Sequence, residues 1–280
     1  RRVLFRSDKY KIAMFQGWDV VLPPEEQVGL LANPLTLATG NWGPEFMGIN
    51  ARQADILKAA KRKVAIFIID TGDGYKHPLL KNAAWNEKGK DFTGASADGD
   101  DLNGHSTHCA GIIAASDPNT PLGAARVLGD AGWVKVIPYQ ALSDAGSGSF
   151  SWIKTAILSA VQEGKLLQQA GWAVGISMSL GGTVTTPPAD IEAALKSAQD
   201  AGFFVVVAAG NTGGLGVQYP GKSQYVNAIA ALQQVTGGVN RAPYSTFGPE
   251  VFIAAPGSGI LSTYKGALAS LSGTSMATPH

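Results

Sequence analysis

Four short segments of the 280-residue sequence carry side chains that could do chemistry. Asp70 begins the run Asp-Thr-Gly directly after an apolar stretch, and His105 begins the run His-Ser-Thr-His-Cys-Ala-Gly. Asn211 follows Ala-Ala-Gly, and Ser275 lies in the run Gly-Thr-Ser-Met-Ala-Thr-Pro-His. A serine that enters a helix can act as a nucleophile, and a side-chain amide can stabilise a developing oxyanion. These residue types therefore point to nucleophilic catalysis.

Each of these residues also has an ordinary structural interpretation. Asp before Gly is common in turns, and Asn211 could satisfy the backbone groups of a turn. His105 suits the start of a helix, and Ser275 suits a helix N-cap. Taken one at a time, the four segments do not decide between structure and catalysis.

Two other kinds of site compete for the same residues. Asp-Thr-Gly also marks the aspartic proteases, which need two facing carboxylates, but the sequence has no second copy after a strand. His105 and His108 lie three residues apart and could bind zinc from one helix face. The sequence has only four histidines and lacks the Glu of His-Glu-x-x-His. We therefore expect no metal at this site.

The elements that must position these residues alternate between strand and helix. Apolar runs rich in β-branched residues predict buried strands at 64–69, 134–137, 173–179, 203–209 and 225–232. Amphipathic patterns predict helices at 51–63, 149–169 and 189–201, and the His105 segment continues as a helix through 112–115. This alternation predicts an α/β fold with a mostly parallel twisted sheet and helices on both faces. Sites in such sheets form where strands end, and Asp70 and Asn211 lie at such ends.

Composition and charge exclude several classes of protein. Apolar residues make up 45% of the sequence and charged residues 15%, which argues against disorder. The net charge of +1 gives no reason to expect a nucleic acid or an anionic membrane as partner. A single cysteine cannot form an internal disulfide. The longest apolar runs fall short of the roughly 18 residues of a spanning helix.

In combination and in this order, the four segments resemble the subtilisin-like serine proteases, the subtilase family (peptidase S8), from about residue 41 to 280. The resemblance implies a three-layer α/β fold. It also implies a serine endopeptidase of broad specificity that works through an acyl-enzyme. The alternative is a catalytically silent subtilase fold that only binds peptides, and the presence of all four residue types argues against it.

The resemblance also assigns a role to each residue of the four segments. Ser275 would be the nucleophile, His105 its general base, and Asp70 the group that orients the imidazole. Asn211 and the backbone N–H of Ser275 would form the oxyanion hole. His108 would be structural.

Three further segments resemble the substrate-binding edges of the family. Gly146, Ser147 and Gly148 match one backbone edge for an extended peptide, and Ser179, Leu180 and Gly181 match the other. Gln218 matches the base of the pocket for the residue before the scissile bond and would make that pocket polar and shallow. Tyr219-Pro220 is a candidate cis peptide bond.

The sequence departs from the family pattern at two positions and shares a branch-specific cysteine. Ser106 replaces the usual glycine after the catalytic-type histidine, so we expect crowding at the helix start. Leu79 replaces an aspartate that binds structural calcium in many members, which puts strong calcium binding in doubt, although the 117–120 loop is polar. No cofactor is expected for catalysis. Cys109 resembles the free thiol of proteinase K-like and thermitase-like members, and we favour a buried small hydrophobic role over a regulatory one.

The resemblance divides the chain into three parts and suggests its partners. Residues 1–7 look like a translated sequencing adapter, and 8–40 are expected to be an N-terminal extension or a propeptide remnant. Residues 41–280 form the expected catalytic domain, which we expect to be incomplete at its C-terminus. The expected partners are protein or peptide substrates and an inhibitory propeptide. We expect a secreted monomer that binds neither nucleic acid nor membrane.

Overall fold

A central eight-stranded sheet organises residues 41–94 and 99–280, which are the residues described by the computed structural model. The predicted adapter at 1–7 and extension at 8–40 lie outside the described residues. The strands are β1 Val64–Asp70, β2 Lys90–Asp91, β3 Val134–Gln140, β4 Ala173–Met178, β5 Phe204–Ala208, β6 Asn227–Val235, β7 Gly238–Arg241 and β8 Val251–Pro256. Their order is β2-β3-β1-β4-β5-β6-β7, with β8 also paired to β6. All pairs are parallel except β6–β7.

Helices cover both faces of the sheet, which confirms the predicted fold class. They are α1 Trp42–Phe46, α2 Gln53–Ala59, α3 His105–Ala114, α4 Arg126–Asp130, α5 Phe150–Gln169, α6 Ala189–Asp200 and α7 Thr274–Ala277. Phe67 of β1 lies in a core cluster with α5 and α6, whereas its neighbour Ile68 lies in a second cluster with α3 and α7. Burial on both faces explains why β1 is continuously apolar.

Strand register brings the ends of the strands to one edge of the sheet. Asp70, the last residue of β1, pairs with Gln140, the last residue of β3. Ser179 directly follows β4, and Asn211 lies three positions after the end of β5. The carboxyl ends of parallel strands meet at one edge, so these residues share the place where sites form in such sheets.

A two-stranded hairpin, β9 Ile260–Tyr264 and β10 Ala267–Leu271, connects the sheet to α7 and packs on α3. Ser262 Oγ donates to the carbonyl of His108 at 2.8 Å, and Thr263 Oγ1 donates to that of Thr107 at 2.8 Å. These bonds satisfy carbonyls of α3 from outside the helix. The hairpin therefore couples the position of α3 to the segment that leads to Ser275.

Two predicted elements have different ends in the structure. The helix predicted at 51–63 is a 3₁₀ turn, Asn50–Arg52, followed by α2, and it ends at Ala59. Lys63 is paired with the sheet and not with the helix, because its carbonyl accepts from Ala173 N at 2.8 Å. The strand predicted at 225–232 begins at Asn227 and extends to Val235, because β6 continues into the antiparallel pair with β7. No helix in the described part of the chain is long and apolar enough to cross a membrane.

Candidate active site

The carboxylate of Asp70 and the imidazole of His105 form a hydrogen bond across two elements. Asp70 ends β1 and is completely buried, and His105 is the first residue of α3. His105 Nδ1 lies 2.7 Å from Asp70 Oδ1, which also accepts from the backbone N–H of Thr71 at 2.8 Å. Since an ionised carboxylate only accepts, Nδ1 carries the proton and Nε2 is the free base.

The surroundings of His105 act on its pKa in opposite directions. Burial alone would lower the pKa of His105, but the charge and hydrogen bond of Asp70, with a smaller contribution from Asp101, raise it above 6.5. The imidazole is therefore a stronger base than a free histidine. Its side chain remains 26% exposed, so the base can reach solvent or a substrate.

Ser275 lies in the first turn of α7 and faces the same cleft as His105. Its hydroxyl donates to the carbonyl of Ser179 at 3.1 Å, and no hydrogen bond joins it to His105 within the described residues. The backbone carbonyl of Ser275 accepts from Ser179 Oγ at 2.8 Å. The backbone of Ser275 is therefore fixed by Ser179, and its hydroxyl is directed at Ser179 and not at His105.

Two hydrogen-bond donors border a small open space beside Ser275. Asn211 Oδ1 accepts from Thr274 N and from Thr274 Oγ1, both at 2.9 Å, which leaves the Asn211 NH₂ group free to point elsewhere. A Cβ added to Gly273 would lie 3.5 Å from Asn211 Nδ2 and 3.6 Å from Ser275 N. Because residue 273 is glycine, the space between these two donors remains open. An oxyanion there could accept from both.

Asp101 is a residue at this site that the sequence analysis missed. It is buried, and its two carboxylate oxygens accept from Gly104 N at 2.9 Å, Thr107 N at 2.7 Å, Thr107 Oγ1 at 2.8 Å and Thr71 Oγ1 at 2.8 Å. Asp101 therefore satisfies donors at the start of α3 and ties that helix to the residue after Asp70. The signal in the sequence was an acidic residue four positions before His105, close enough to the predicted helix to bind its N-terminal N–H groups.

The residues predicted to bind substrate line one cleft of about 490 Å³ together with His105, Asn211 and Ser275. These residues are Gly146, Ser147, Gly148, Ser179, Leu180, Gly181 and Gln218. Asp70 lies behind His105 and does not line the cleft. The lining also includes three apolar residues that the sequence did not single out, Leu142, Phe150 and Ile153, which belong to or pack on one core cluster.

Gln218 occupies a slot between two glycines. A Cβ on Gly210, where φ is +111°, would lie 2.4 Å from Gln218 Oε1, and a Cβ on Gly181 would lie 3.4 Å from Gln218 Cβ. Glycine at 210 suits both the left-handed backbone and the close approach of the amide. The peptide bond between Tyr219 and Pro220 is cis, as the sequence predicts.

Comparisons with known proteins agree with this geometry. The profile of the subtilase family, Peptidase_S8, matches residues 61–280. The chain belongs to the subtilase family. It is accordingly a serine-type endopeptidase, and this family needs no cofactor for catalysis.

Individual relatives match most of the chain. Thermitase of Thermoactinomyces vulgaris is 39% identical over 241 residues, which cover 85% of this chain and 78% of thermitase. Subtilisin DY of Bacillus licheniformis is 37% identical over 241 residues, 83% of this chain and 80% of that protein. Among solved structures, Sphericase is 34% identical with a TM-score of 0.65, covering 78% of this chain and 74% of that one.

The second histidine of the subtilase His segment, His108, has a different environment from the first. His108 is buried, and its Nε2 lies 3.0 Å from the carbonyl of Ala269 in β10. Burial lowers the pKa of His108 to about 4, so this ring is neutral near pH 7. Among the described residues, the one group of three metal-ligating side chains that lie close together is Asp70, His105 and Cys109, without His108. Within the described residues, His105 and His108 therefore share no group of three close ligands of the kind that a zinc site needs.

Cys109 of this subtilase packs directly behind the candidate nucleophile. It is completely buried, and its thiol donates to the carbonyl of Ser275 at 3.6 Å. Burial raises the pKa of the Cys109 thiol well above its ordinary value, so the thiol is neutral. A neutral, buried thiol agrees with the small hydrophobic role expected for it.

Leu79 and the 117–120 loop meet where the family resemblance implies a calcium site. The carbonyl of Leu79 accepts from Ser116 N at 3.0 Å, so the loop begins beside Leu79. The Leu79 side chain packs against the core, and Asp117 Oδ1 accepts from Asn119 N at 2.7 Å within its own loop. The side chain of leucine, unlike that of aspartate, supplies no oxygen ligand for Ca²⁺.

Proposed function

We propose that Ser275 is the nucleophile of this endopeptidase, that His105 is its general base and that Asp70 orients the imidazole. The observation that carries this proposal is the 2.7 Å contact between His105 Nδ1 and buried Asp70 Oδ1, with Nε2 left free in the cleft that Ser275 lines. Hydrogen bonds between nucleophile and base are often long or poorly aligned before substrate binds, and they tighten in the substrate complex. The Ser179-directed rotamer of Ser275 is therefore compatible with this role.

The proposed reaction has two halves. Ser275 Oγ attacks the scissile carbonyl while His105 Nε2 takes the hydroxyl proton, and the C=O electron pair moves onto the carbonyl oxygen. The electron pair on that oxygen then re-forms the C=O bond as the C–N bond breaks, the amine leaves with the proton from Nε2, and Ser275 holds the acyl group. Water repeats the sequence to release the acid and restore Ser275. Asp70 remains ionised and stabilises the imidazolium in both halves.

Asn211 and the N–H of Ser275 are proposed to stabilise the oxyanion of this reaction. Replacing Asn211 by Ala is expected to lower kcat by about 10²–10³ with little change in KM, as is known for the corresponding loss in subtilisin. The reason is that the donor is needed only when the oxygen carries charge. Steady-state kinetics on a peptide p-nitroanilide measures the effect. Asn82→Ala, an exposed change, is the control, and an Asn211→Ala variant that raised only KM would contradict the role.

Substrate peptide is proposed to lie between the two backbone edges of the cleft. Within the described residues, the N–H and C=O groups of Gly148, Leu180 and Gly181 have no hydrogen-bond partner, whereas Ser147 O accepts from Ser143 N at 2.7 Å. Gly148, Leu180 and Gly181 therefore offer main-chain bonds that do not depend on the peptide's sequence. Ser147 is proposed to shape the edge instead. The apolar lining residues Leu142, Phe150 and Ile153 favour an apolar side chain elsewhere in the peptide.

Gln218 is proposed to limit the size of the side chain accepted before the scissile bond. Gln218→Ala is expected to raise kcat/KM for a phenylalanine substrate relative to an alanine substrate by about 10–100-fold, because a pocket methylene is worth about that much discrimination. Two p-nitroanilide peptides that differ only at this position measure the ratio. Gln234→Ala, an exposed change in β6, is the matched control. An unchanged ratio in Gln218→Ala would place the pocket elsewhere.

We also infer that activity does not depend on a strong calcium site at Leu79, because the leucine side chain lacks the oxygen that such a site needs.

An inhibitory propeptide, secretion and a monomeric state are proposed from the family resemblance. The family membership supports the first of these most directly, since subtilases act on protein substrates and are made with a propeptide.

Labelling with a fluorophosphonate tests the proposed nucleophile. The chain should form a covalent adduct on Ser275, identified by mass spectrometry of the labelled peptide, and should cleave a casein substrate without added metal. A chelator should not prevent labelling. Peptide binding without labelling would favour the silent binding module, and stoichiometric zinc with chelator-sensitive activity would favour the metal alternative.

A further inference from the structure

The hydroxyl of Ser106, the residue next to His105, has a partner in the segment that follows Asp70. Ser106 and Tyr75 are both buried, at 0% and 2% exposure, and Ser106 Oγ lies 2.7 Å from the Tyr75 hydroxyl. The crowding that we expected at Ser106 is therefore replaced by a hydrogen bond. Each hydroxyl has the other as its hydrogen-bond partner within the described residues.

Tyr75 is held firmly enough to act as an anchor. Its backbone N–H donates to Asn86 Oδ1 at 2.9 Å, and its carbonyl accepts from Asn86 Nδ2 at 3.0 Å. Burial raises the pKa of Tyr75 well above 10, so the phenol is neutral over the pH range in which a serine protease works. The Tyr75–Ser106 contact is therefore a bond between two neutral groups and does not change over that pH range.

The first turn of α3 has a second tie to the same segment. Ser106 N donates to Thr71 Oγ1 at 3.1 Å, and Thr71 directly follows Asp70. Ser106 thus contacts the 71–75 segment through its backbone and through its side chain. Thr71 immediately follows Asp70, and Ser106 immediately follows His105. The bond between Ser106 and Thr71 therefore joins the chain neighbours of His105 and Asp70.

We propose that Ser106 and Tyr75 are a coupled pair of positioning residues that hold His105 against Asp70. The proposal rests on the proposed role of His105 as general base. Removing one hydroxyl leaves the other buried without a partner, and the helix start can relieve this only by moving. Removing both hydroxyls leaves no unsatisfied group, so the two losses should not add.

A double-mutant cycle tests the pair. Tyr75→Phe and Ser106→Ala are each expected to lower kcat about tenfold with KM changed less than about twofold, and the double variant to lose no more than either single. In each single variant the acid limb of kcat/KM is expected to move to lower pH. A longer Asp70–His105 contact weakens the interaction that raises the pKa of His105, whereas the neighbouring charge of Asp101 stays in place.

The control separates positioning from general destabilisation. Asn227→Ala removes a hydrogen bond to the carbonyl of Val205 at 2.9 Å, at the opposite end of the sheet. It should lower the melting temperature without moving the acid limb. If a single variant does not fold, the double variant decides, because a folded and active double supports the coupling and an unfolded one overturns it.

Three results distinguish the two levels of the proposal. Losses in kcat that multiply in the double variant, or an unmoved acid limb in both single variants, overturn the pair. If the unaltered chain labels with fluorophosphonate while the pair is overturned, the proposed function stands. If the unaltered chain is folded but neither labels nor cleaves peptide, the proposed function itself fails.

Discussion

Ser275→Ala is expected to lose fluorophosphonate labelling and to lower kcat by about 10⁶-fold, as is known for the same replacement in subtilisin. The physical reason is that alanine has no hydroxyl, so the proposed acyl-enzyme cannot form at residue 275. The residual rate should come from the oxyanion donors and from binding alone. Active-site titration and single-turnover hydrolysis of a p-nitroanilide peptide measure the loss.

The fold should survive the Ser275→Ala change. The backbone carbonyl of Ser275, not its hydroxyl, accepts from Ser179 and Cys109, and these contacts remain. An unchanged melting temperature would therefore accompany the loss of activity. Ser197→Ala on α6, where the hydroxyl donates to the carbonyl of Ala194, is the matched control and should keep full labelling. Labelling that persisted in Ser275→Ala would assign the reactive serine to another position.

Asp70→Asn is expected to lower kcat by about 10³–10⁴. Thr71 N and His105 Nδ1 both donate to Asp70 Oδ1, so an asparagine must keep its oxygen at that position and place its NH₂ group at the other. The imidazole tautomer is then preserved, and what disappears is the negative charge that faces the imidazolium. At an effective dielectric constant of 20, two charges about 4 Å apart interact by about 4 kcal/mol, or about a thousandfold in rate. The buried NH₂ group, without an acceptor, adds to the loss.

The pH profile identifies the cause of the loss in Asp70→Asn. Burial lowers the pKa of His105, and Asp70 raises it, so removing the Asp70 charge should bring that pKa below its wild-type value. The general base must be neutral, and kcat/KM falls as pH drops through its pKa. The acid limb should therefore move to lower pH. Asp55→Asn, an exposed change on α2, should leave both kcat and the limb unchanged. An Asp70→Asn enzyme that lost less than tenfold with an unmoved limb would remove Asp70 from the triad.

Much of the fold could be predicted because its signals are local. The apolar runs at β1, β3 and β5 and the periodic patterns of α5 and α6 are properties of neighbouring residues, and the structure has these elements within a few residues of the predicted ends. The end of α2 was predicted too late, since pairing of Lys63 with Ala173 depends on a strand more than a hundred residues away. Element type follows from local periodicity, whereas element ends follow from pairing.

The candidate site was predictable only in part. Asp70, His105, Asn211 and Ser275 stand in motifs whose order is specific to one family. Asp101 gave a weaker signal, because its four hydrogen bonds depend on how the loop before α3 folds back. Leu142, Phe150 and Ile153 look like ordinary core residues in the sequence, and only the cleft distinguishes them.

By itself, the sequence determined the fold class, the family and the residue types available for catalysis, because periodicity and motif order are linear properties of a chain. The tertiary structure decided which of these residues meet. It placed the Ser275 hydroxyl on the carbonyl of Ser179, and it paired Ser106 with Tyr75, 31 positions earlier. Contacts between distant residues depend on strand register and helix packing, and neither is written in the local pattern of the residues that make them.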